Sequence, residues 1–535
     1  MFHDARQLQA GTEIQADVCI VGAGAAGIAI ARELLGQQQR VALLTSGGLE
    51  FARGPQTLYA GDNVGRPGYT PYRSRVRMYG GSTTRWTGHC RPLERLDFER
   101  RDWVPYSGWP FPMDVLDPYY RRAHEVCRLG PYDYAPSTWG ADGTRPLPVD
   151  PLTLDVRIYQ FAHPTDFGKI YRDELEAARN VDVWLHADVL EIEAAADLRR
   201  VSGLRVVTGP GKEARFIADR YVLACGGLEN PRLLLASNRV AAAGLGNRYD
   251  LVGRFYTDHA FLFHGWFEPS RPDADWTLNV IDYEEVGSKQ RAHAALALPE
   301  RTIRAEGLND CAVYFVRRPN FKIQPAYFTD GVKSFTQLAD MLKGQDPVDR
   351  SVGRHLINVA AGLPAVGTTL ARQVIEMVSP RPRLALKTVI ETTPNPASRM
   401  TLGERRDALG MPRIRVDWRI NSGDQRGLSR LYEVMRPELV RLGLGRLVED
   451  PAVDSDGWPV SFSSGMHHMG TTRMHDDPRQ GVVDANCRVH DLANLYVAGG
   501  SVFPTGGIAN PTLTIVALAI RLADHLEQTD GAASR

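Results

Sequence analysis

Three glycines near the start of the chain are spaced for binding a dinucleotide. Gly22, Gly24 and Gly27 form the pattern G-x-G-x-x-G. The first glycine allows a tight turn, the second lets a pyrophosphate approach the backbone, and the third lets a helix pack closely on a strand. Ala25 and Ala26 lie within this glycine loop, and the phosphates would sit on the unpaired amides at the N-terminus of the helix that follows. The pattern is weak alone, because a glycine-rich turn without a ligand has the same spacing.

The segments around these glycines have the order that a dinucleotide-binding unit needs. Residues 16–21 form an apolar, partly β-branched run, which predicts a buried strand, and residues 28–35 are rich in Ala and Leu, which favours a helix. Residues 40–44 predict a second strand. An acid that binds ribose is expected about 20 residues after the glycines, but Thr45 stands there. Three alternatives remain for the ribose: the Thr45 hydroxyl contacts it, the nearby Glu50 contacts it, or neither does.

The composition is that of an ordinary globular protein without a charged partner. Of 535 residues, 43% are hydrophobic, and 63 basic residues balance 63 acidic ones. The chain therefore lacks the positive field that attracts phosphates, and we expect no nucleic-acid partner. The apolar run at residues 513–522 is shorter than the roughly 20 residues that cross a bilayer. Residues 1–15 contain no apolar segment of signal-peptide length, so we expect a cytoplasmic protein that binds no membrane.

Two sets of residues are of metal-binding types, but their spacing does not support a metal. The six cysteines are far apart and form no C-x-x-C pair, which argues against a zinc ribbon or a redox dithiol and is typical of a reducing compartment. His467, His468, His475, Asp476 and Asp477 could form a cluster, yet their spacing matches no closed metal site. We predict that the protein holds no metal.

The first part of the chain contains most of the α/β pattern. Residues 50–100 are rich in Gly, Arg, Tyr and Pro and predict a long ordered loop. Further on, residues 169–179 predict a helix, residues 181–185 a strand, and residues 221–227 a strand that ends in glycines.

The character changes between about residues 262 and 460. Alternating runs at residues 312–316 and 413–418 predict antiparallel strands, and residues 334–377 predict one or two amphipathic helices. The last 75 residues return to the first pattern, with a strand at 494–498 and a helix from Pro511. The sequence thus predicts a nucleotide domain of separated segments that a second domain interrupts.

A series of short motifs follows one order along the chain. They are residues 80–86 (GGSTTRW), 226–232 (GGLENPR), 253–255 (GRF), 258–259 (DH), 398–402 (SRMTL), 465–474 (GMHHMGTTRM), 481–484 (GVVD), 488–490 (RVH), 494–505 (NLYVAGGSVFPT) and 510–515 (NPTLTI). Through these motifs the sequence resembles the glucose–methanol–choline (GMC) oxidoreductase family of FAD enzymes over nearly its whole length. So many motifs in one order are far more specific than the glycine pattern alone.

The resemblance implies an α/β (α+β) fold of two domains. A Rossmann-like FAD-binding domain is expected over residues 1–100, 155–261 and 461–535. An inserted substrate-binding domain, built on an antiparallel sheet with helices, is expected over residues 101–154 and 262–460.

The same resemblance implies the catalytic residues. The family uses the His of an H-x-x-G-T stretch as its base and pairs it with a His or Asn near the C-terminus, which carries over to His467 and Asn510. A neutral imidazole is well matched to an alcohol proton near pH 7, and an amide can orient the alcohol oxygen. His468 is the alternative base, since adjacent histidines point differently.

Other polar residues of the motifs are expected to be structural. His259, His264 and His490 are expected to be structural histidines. We expect Arg473 and Arg488 to pair with carboxylates.

The resemblance also implies the residues that bind FAD. Besides the glycine loop and Thr45, it points to the loop at 80–89, one strand residue and the start of the last helix. These residues are Ser82, Thr83, Arg85, Trp86, Val189, Gly500, Ser501, Pro511 and Thr512. The helix that begins at Pro511 would aim its amides and positive end at the flavin. Some sugar-oxidising members attach FAD covalently through a histidine before the tryptophan, but Arg85 stands there, so we expect noncovalent FAD.

The implied activity is oxidation of an alcohol to a carbonyl. Many members have Asp where this chain has Gly499, and the pair Gly499-Gly500 is similar to the pyranose-oxidase-like branch, which favours a secondary hydroxyl of a sugar or glycoside as the substrate group. Alternatives are a hydrophobic or secondary-metabolite alcohol, a lyase that keeps FAD as a scaffold, and a noncatalytic flavoprotein. The electron acceptor, dioxygen or another, is not predicted, and a homo-oligomer is compatible with the sequence.

Overall fold

The computed structural model describes most of the chain, and the statements below concern that part. The described residues are 1–66, 70–139, 149–270, 292–316, 331–332, 334–335, 338–339, 352–378, 383–449, 453–459 and 461–533. The fold mixes helices and sheets, as the sequence predicts.

Nineteen strands and twelve helices of the described residues are used below. The strands are β1 (Phe2–Asp4), β2 (Glu13–Val21), β3 (Val41–Leu44), β4 (Gly61–Asn63), β5 (His89–Cys90), β6 (Asp155–Phe161), β7 (Val181–Leu185), β8 (Asp188–Ala194), β9 (Val201–Gly209), β10 (Lys212–Leu223), β11 (Ala260–Pro269), β12 (Ala292–Ala297), β13 (Cys311–Val316), β14 (Leu384–Ile390), β15 (Arg399–Arg406), β16 (Pro412–Asp417), β17 (Gly445–Val448), β18 (Ser463–Ser464) and β19 (Leu495–Val497). The helices are α1 (Ala25–Glu33), α2 (Arg53–Thr57), α3 (Arg95–Phe98), α4 (Asp117–Val126), α5 (Phe167–Ile170), α6 (Arg172–Ala177), α7 (Gly226–Ala236), α8 (Glu300–Glu306), α9 (Val352–Ala361), α10 (Leu363–Val378), α11 (Gln425–Arg441) and α12 (Thr512–Ala533).

The first sheet is built around buried parallel strands. Its order is β1-β7-β3-β2-β10-β9-β8, and β19 also pairs with β10. β1, β7, β3, β2, β10 and β19 run parallel, whereas β9 and β8 are antiparallel additions. The apolar run of β2 and the Ala- and Leu-rich α1 and α12 lie in one core, which explains their composition. Parallel strands with continuous apolar runs are typical of a sheet covered on both faces.

The second sheet is antiparallel and has the order β17-β11-β14-β13-β12-β6-β5, with β18 also paired to β11. One face packs against α11 through an apolar core that includes Leu431 and Met435. A third, small sheet has the order β15-β16-β4. The strands predicted at 312–316 and 413–418 are confirmed as β13 and β16, and they lie in different sheets.

Several predicted elements differ in detail from the structure. The helix predicted at 169–179 is two short helices, α5 and α6, and the predicted loop at 50–100 contains α2, β4, β5 and α3. The helices predicted at 334–377 are α9 and α10 where the structure describes that range. The domain boundaries stay a prediction, although β5 and β6, placed by sequence in the first domain, pair within the second sheet. No helix in the described ranges is long and apolar enough to cross a membrane.

A buried network of charges holds the segment at residues 73–78 against the first sheet. Glu229 of α7 accepts hydrogen bonds from Arg75 at 2.6 Å and from Arg232 at 3.1 Å. Arg77 donates to Asp188 at 3.0 Å. Burial alone raises the pKa of Glu229, but the neighbouring arginines outweigh it and bring the pKa to about 2. The carboxylate therefore stays charged and ties three segments together.

We predict that Glu229→Gln lowers the free energy of unfolding by roughly 3–5 kcal/mol, because buried arginines lose their balancing charge. Urea unfolding at pH 7 measures this loss. A pKa below the ordinary 4.5 means that the wild-type contribution is present above about pH 4.5 and is lost as the pH falls toward 2. Glu174→Gln, which breaks an exposed pair with Arg32, is the control and should cost about 0–1 kcal/mol. Equal losses in both variants would contradict the network's role.

Candidate active site

The carboxyl ends of four parallel strands meet at one edge of the first sheet. The strands are β2, β3, β10 and β19. The loops that follow them line a cavity of about 480 Å³, which lies within the usual range for ligand sites. Ligands of open α/β sheets bind at this edge, so the cavity is the candidate active site.

The glycine loop after β2 has the shape that its spacing predicts. Gly22 has a φ of 109°, and a Cβ there would lie 2.5 Å from the carbonyl oxygen of Ala224. A Cβ on Gly27 would lie 1.9 Å from the carbonyl oxygen of Gly22. Gly24 lines the cavity, and a Cβ on it would meet no protein atom within 4 Å. Gly22 and Gly27 therefore serve the fold, whereas the space before Gly24 is open to a ligand.

Two helices begin at the cavity. Ala25 and Ala26 of α1 line it, and no side chain caps this helix at Gly24. Pro511 and Thr512 line another part of the cavity, where α12 begins. The first amides of a helix have no partner within the helix, and its N-terminus carries a partial positive charge. The cavity thus offers two separate sites for negative charge.

The structure places an alcohol side chain, not an acid, at the end of β3. Thr45 and Ser46 line the cavity, whereas Glu50 is outside the lining. The backbone of Thr45 is fixed by hydrogen bonds to Trp184 and Ala187, which leaves its hydroxyl as the group available to a ribose. Of the two sequence alternatives, the geometry favours Thr45.

The loop at residues 80–89 forms one wall of the cavity. Ser82, Thr83, Arg85 and Trp86 all line it. The Trp86 indole N–H donates to the Thr165 carbonyl oxygen at 2.8 Å, which fixes the ring. The Thr83 hydroxyl is engaged by the fold, since it contacts Gly80 and Phe167. The Arg85 guanidinium lies 4.9 Å from the centre of the Phe51 ring and forms no ion pair with a described carboxylate.

Val189 and Gly500 also line the cavity, as predicted, but two predicted ligand residues do not. Gly27 is absent from the lining because it packs against the strand. Ser501 is fully buried, and its hydroxyl accepts a hydrogen bond from the Asn230 amide at 3.0 Å. Ser501 therefore belongs to the support of the loop, which corrects its assignment as a contact.

Further lining residues were not singled out from the sequence. They are Tyr59, Arg73 to Met78, Ala187, Ala224 to Gly227, Glu229, Leu233 and Met411. Arginines at alternate positions, Arg73, Arg75 and Arg77, could have indicated that this stretch is ordered and buried, because such charged residues need partners. Glu229, which pairs with Arg75 and Arg77, lies in the motif at 226–232.

The candidate base, His467, lies on the cavity wall beside Asn510. The Asn510 amide nitrogen is 3.4 Å from His467 Nε2. The backbone N–H of His467 donates to Asp258 at 2.8 Å, and the Ser464 hydroxyl donates to the same carboxyl group. Burial raises the pKa of Asp258 to about 7, although these hydrogen bonds oppose the rise. His467 and Asn510, which the sequence analysis paired, are adjacent in the structure although 43 positions separate them in the chain.

A chain of hydrogen bonds assigns the proton of His467. His259 Nε2 lies 3.3 Å from the Gly506 carbonyl oxygen, which can only accept, so Nε2 carries the proton. Burial lowers the pKa of His259 to about 4, so its ring is neutral and Nδ1 is an acceptor. His467 Nδ1, at 2.9 Å, must donate to it. The lone pair of His467 is then at Nε2, on the side of Asn510.

This contact corrects the expectation that His259 is only structural. Burial, His259 and Lys387 are the largest influences on His467, and together they hold its pKa well below the ordinary 6.5. His467 is therefore a neutral proton acceptor at neutral pH, and His259 is its positioning residue.

The neighbouring histidine is placed differently. The ring of His468 is directed toward Tyr256, with ring centres 6.1 Å apart, whereas the ring of His467 meets Asn510. Both histidines line the cavity. His467 is therefore the better candidate base.

Other expectations about the C-terminal motifs have mixed outcomes. Arg488 pairs with Asp484, and His490 contacts the His475 backbone, as expected of structural residues. Arg473 instead donates to the Tyr106 carbonyl oxygen and lies over the Phe255 ring, without an ion pair to any described carboxylate. In the described part of the chain, no three His, Cys, Asp or Glu residues are arranged to hold a metal ion.

Two family models match the chain. A model described as FAD dependent oxidoreductase matches residues 17–243, and one described as GMC oxidoreductase matches residues 394–519. The first includes the glycine loop, and the second includes His467 and Asn510.

Individual relatives and structures agree with these models. The chain is 25% identical over 593 residues to 2-methyl-1,2-propanediol dehydrogenase of Mycolicibacterium austroafricanum, which covers 96% of this chain and 95% of the relative. A stretch of 123 residues is 40% identical to C-glycoside 3-oxidase of Arthrobacter globiformis, covering 23% of this chain and 22% of the relative. The crystal structure of pyridoxine 4-oxidase from Mesorbium loti has the same fold, with a TM-score of 0.56, 18% identity, and coverage of 96% of this chain and 99% of that one.

The cavity fits FAD on its own geometry. An open approach at Gly24 and a helix N-terminus at α1 suit a pyrophosphate, and the N-terminus of α12 lines the same cavity as His467, where the two would face the redox ring of a bound cofactor.

We predict that Gly24→Val abolishes FAD binding without unfolding the protein, because its Cβ would project into the phosphate path and meet no protein atom within 4 Å. FAD content after purification and the melting temperature of the apoprotein measure the two effects. Gly54→Val, at a glycine that also has open space around it, is the matched control and should load FAD normally. A Gly24→Val protein that is fully yellow would contradict the assigned phosphate site.

Proposed function

The chain is an FAD-dependent enzyme of the GMC oxidoreductase family, and from this premise we propose that it oxidises a secondary hydroxyl of a sugar or glycoside. The observation that carries the proposal is the unprotonated Nε2 atom of His467, which faces the Asn510 amide on the cavity wall. A group in this state is suited to accept one proton from an alcohol.

The side chains divide the work of the reaction. The Asn510 amide holds the alcohol oxygen, and His467 Nε2 takes the hydroxyl proton as the C–H bond breaks and the carbonyl forms. Bound FAD supplies the acceptor for the hydride that leaves the carbon. His259 keeps Nδ1 of His467 engaged, so the proton can enter only at Nε2. The N-terminus of α12 provides positive potential beside this site.

Two observations favour a sugar or glycoside. The segment that matches C-glycoside 3-oxidase is more similar than the full-length match to the diol dehydrogenase. The partly buried ring of Phe261 lies 6.1 Å from that of His467. It is not among the residues that line the cavity, but an aromatic ring next to the base is a surface on which a bound sugar ring would stack. The full-length match keeps a small alcohol as the second candidate.

We predict that His467→Ala retains FAD but loses about 10²–10⁴-fold in the rate at which substrate bleaches the flavin anaerobically. A screen of sugars, glycosides and small alcohols, read by flavin absorbance, identifies the substrate. His3→Gln, near the surface, should leave the rate unchanged.

The same experiment separates the alternatives. Bleaching by small diols but by no sugar would move the assignment to the second candidate. Substrate consumption without bleaching would indicate elimination and sink the oxidation proposal. An unchanged rate in His467→Ala would remove the base assignment.

Noncovalent attachment is a further part of the proposal. Arg85 stands where a histidine would be needed, and an arginine does not form that bond. We predict that acid precipitation releases all of the FAD into the supernatant. Absorbance at visible wavelengths that stays with the washed, refolded polypeptide would contradict this.

A further inference from the structure

The face of the second sheet that carries Phe261 also carries a partly buried ammonium group. Lys387 of β14 lies opposite Tyr314 of β13, and its Nζ atom is 4.2 Å from the centre of the Phe261 ring. That ring also contacts His467, so one aromatic ring separates the ammonium from the candidate base. Burial lowers the pKa of Lys387 to about 8. No carboxylate of the described residues forms an ion pair with it.

Two histidines extend this group along the same face. His293 of β12 is 5% exposed, and neither of its ring nitrogens has a hydrogen-bond partner among the residues that the structure describes. Its ring centre is 6.1 Å from that of His89 on β5. His89 Nδ1 contacts the hydroxyl of Thr87, which lines the cavity. The cluster of Lys387, His89 and His293 therefore lies outside the cavity lining and adjoins it at Thr87.

Among the residues that the structure describes, no carboxylate forms an ion pair with the Lys387 ammonium of this cluster. Burial, with Lys387 contributing, lowers the pKa of His293 to about 4 and that of His89 to about 3, so both rings are neutral near pH 7. Each neutral ring still has one N–H to donate, and the ammonium has three. A buried donor without an acceptor costs about 1–3 kcal/mol, and an unpaired buried charge costs more. A bound anion would satisfy both.

We propose that the substrate of this site carries a carboxylate, which the Lys387 ammonium binds with help from His89 and His293. The proposal deepens the proposed function and rests on the site of His467, since the hydroxyl that reacts must reach that residue while the acid reaches the cluster. One ammonium and two neutral donors match a single negative charge better than the two charges of a phosphate. The substrate class is therefore an acidic glycoside or another hydroxy acid.

An equilibrium binding experiment tests this without requiring turnover. The holoenzyme is titrated with benzoate, with its neutral isostere benzamide and with phenyl phosphate, and binding is followed by the FAD absorption spectrum and by calorimetry. Benzoate should bind at least about ten-fold more tightly than benzamide, the value of one charge-assisted hydrogen bond. Lys387→Met should erase that preference, and Lys387→Arg should keep most of it. The exposed Lys169→Met is the matched control and should keep all of it.

Each outcome of these measurements bears on one specific claim. Benzoate that binds no better than benzamide to the wild type, or a preference that persists in Lys387→Met, overturns the proposal. Tighter binding of phenyl phosphate than of benzoate overturns the carboxylate in favour of a phosphate. FAD content and melting temperature show whether Lys387→Met is folded, and Lys387→Arg keeps the test valid if it is not. A failure of sugars to bleach the flavin would affect the proposed function alone, because these measurements need no reaction.

Discussion

A single backbone carbonyl, that of Gly506, fixes which ring nitrogens of His259 and His467 carry a proton. Because this oxygen can only accept a hydrogen bond, the proton of His259 lies on Nε2. His259 Nδ1 then accepts a hydrogen bond from the protonated Nδ1 of His467. The reactive lone pair of His467 then has one location, facing Asn510. A side chain at Gly506 would meet the end of Met469 at 2.7 Å, so close packing also keeps this segment in place. The chemistry of His467 thus depends on a main-chain hydrogen bond that acts on it through His259.

The electrostatics around this pair favour a base that is neutral before the reaction. Burial is the main reason that the pKa values of His467 and His259 lie below 6.5, and His259 and Lys387 lower the pKa of His467 further. Asp258 could have opposed this effect, but it is bonded to the backbone of His467 and not to its ring. The site therefore separates two tasks: a carboxyl group positions the main chain, and a histidine without a carboxylate partner accepts the proton. Near pH 7 no proton must leave His467 before it can act.

The sequence contained the local parts of this site but not the long-range ones. The turn at Gly22 to Gly27, the strand before it and Thr45 follow from residues that are neighbours in the chain, and they were predictable. The partner of Arg75 is Glu229, 154 positions away, and the partner of His467 is His259, 208 positions away. The family resemblance identified His467 and Asn510, but it could not show which ring nitrogen of His467 is unprotonated. Ser501 was misplaced because its motif is adjacent to the cavity, whereas its hydroxyl is turned toward Asn230.

The two sheets present different kinds of groups on the two sides of His467. The parallel sheet contributes strand ends, glycines and helix N-termini to the cavity, which are main-chain groups and suit a cofactor with fixed structure. The antiparallel sheet carries side chains on one face beside the cavity lining, including Phe261, Tyr314 and Lys387, and alternation along its strands brings them together. Side chains can change without altering a ladder of backbone hydrogen bonds, whereas a glycine loop cannot. The segment from Gly465 to Asn510 connects the two sheets. His467 therefore lies between the main-chain groups of the parallel sheet and the side chains of the antiparallel sheet.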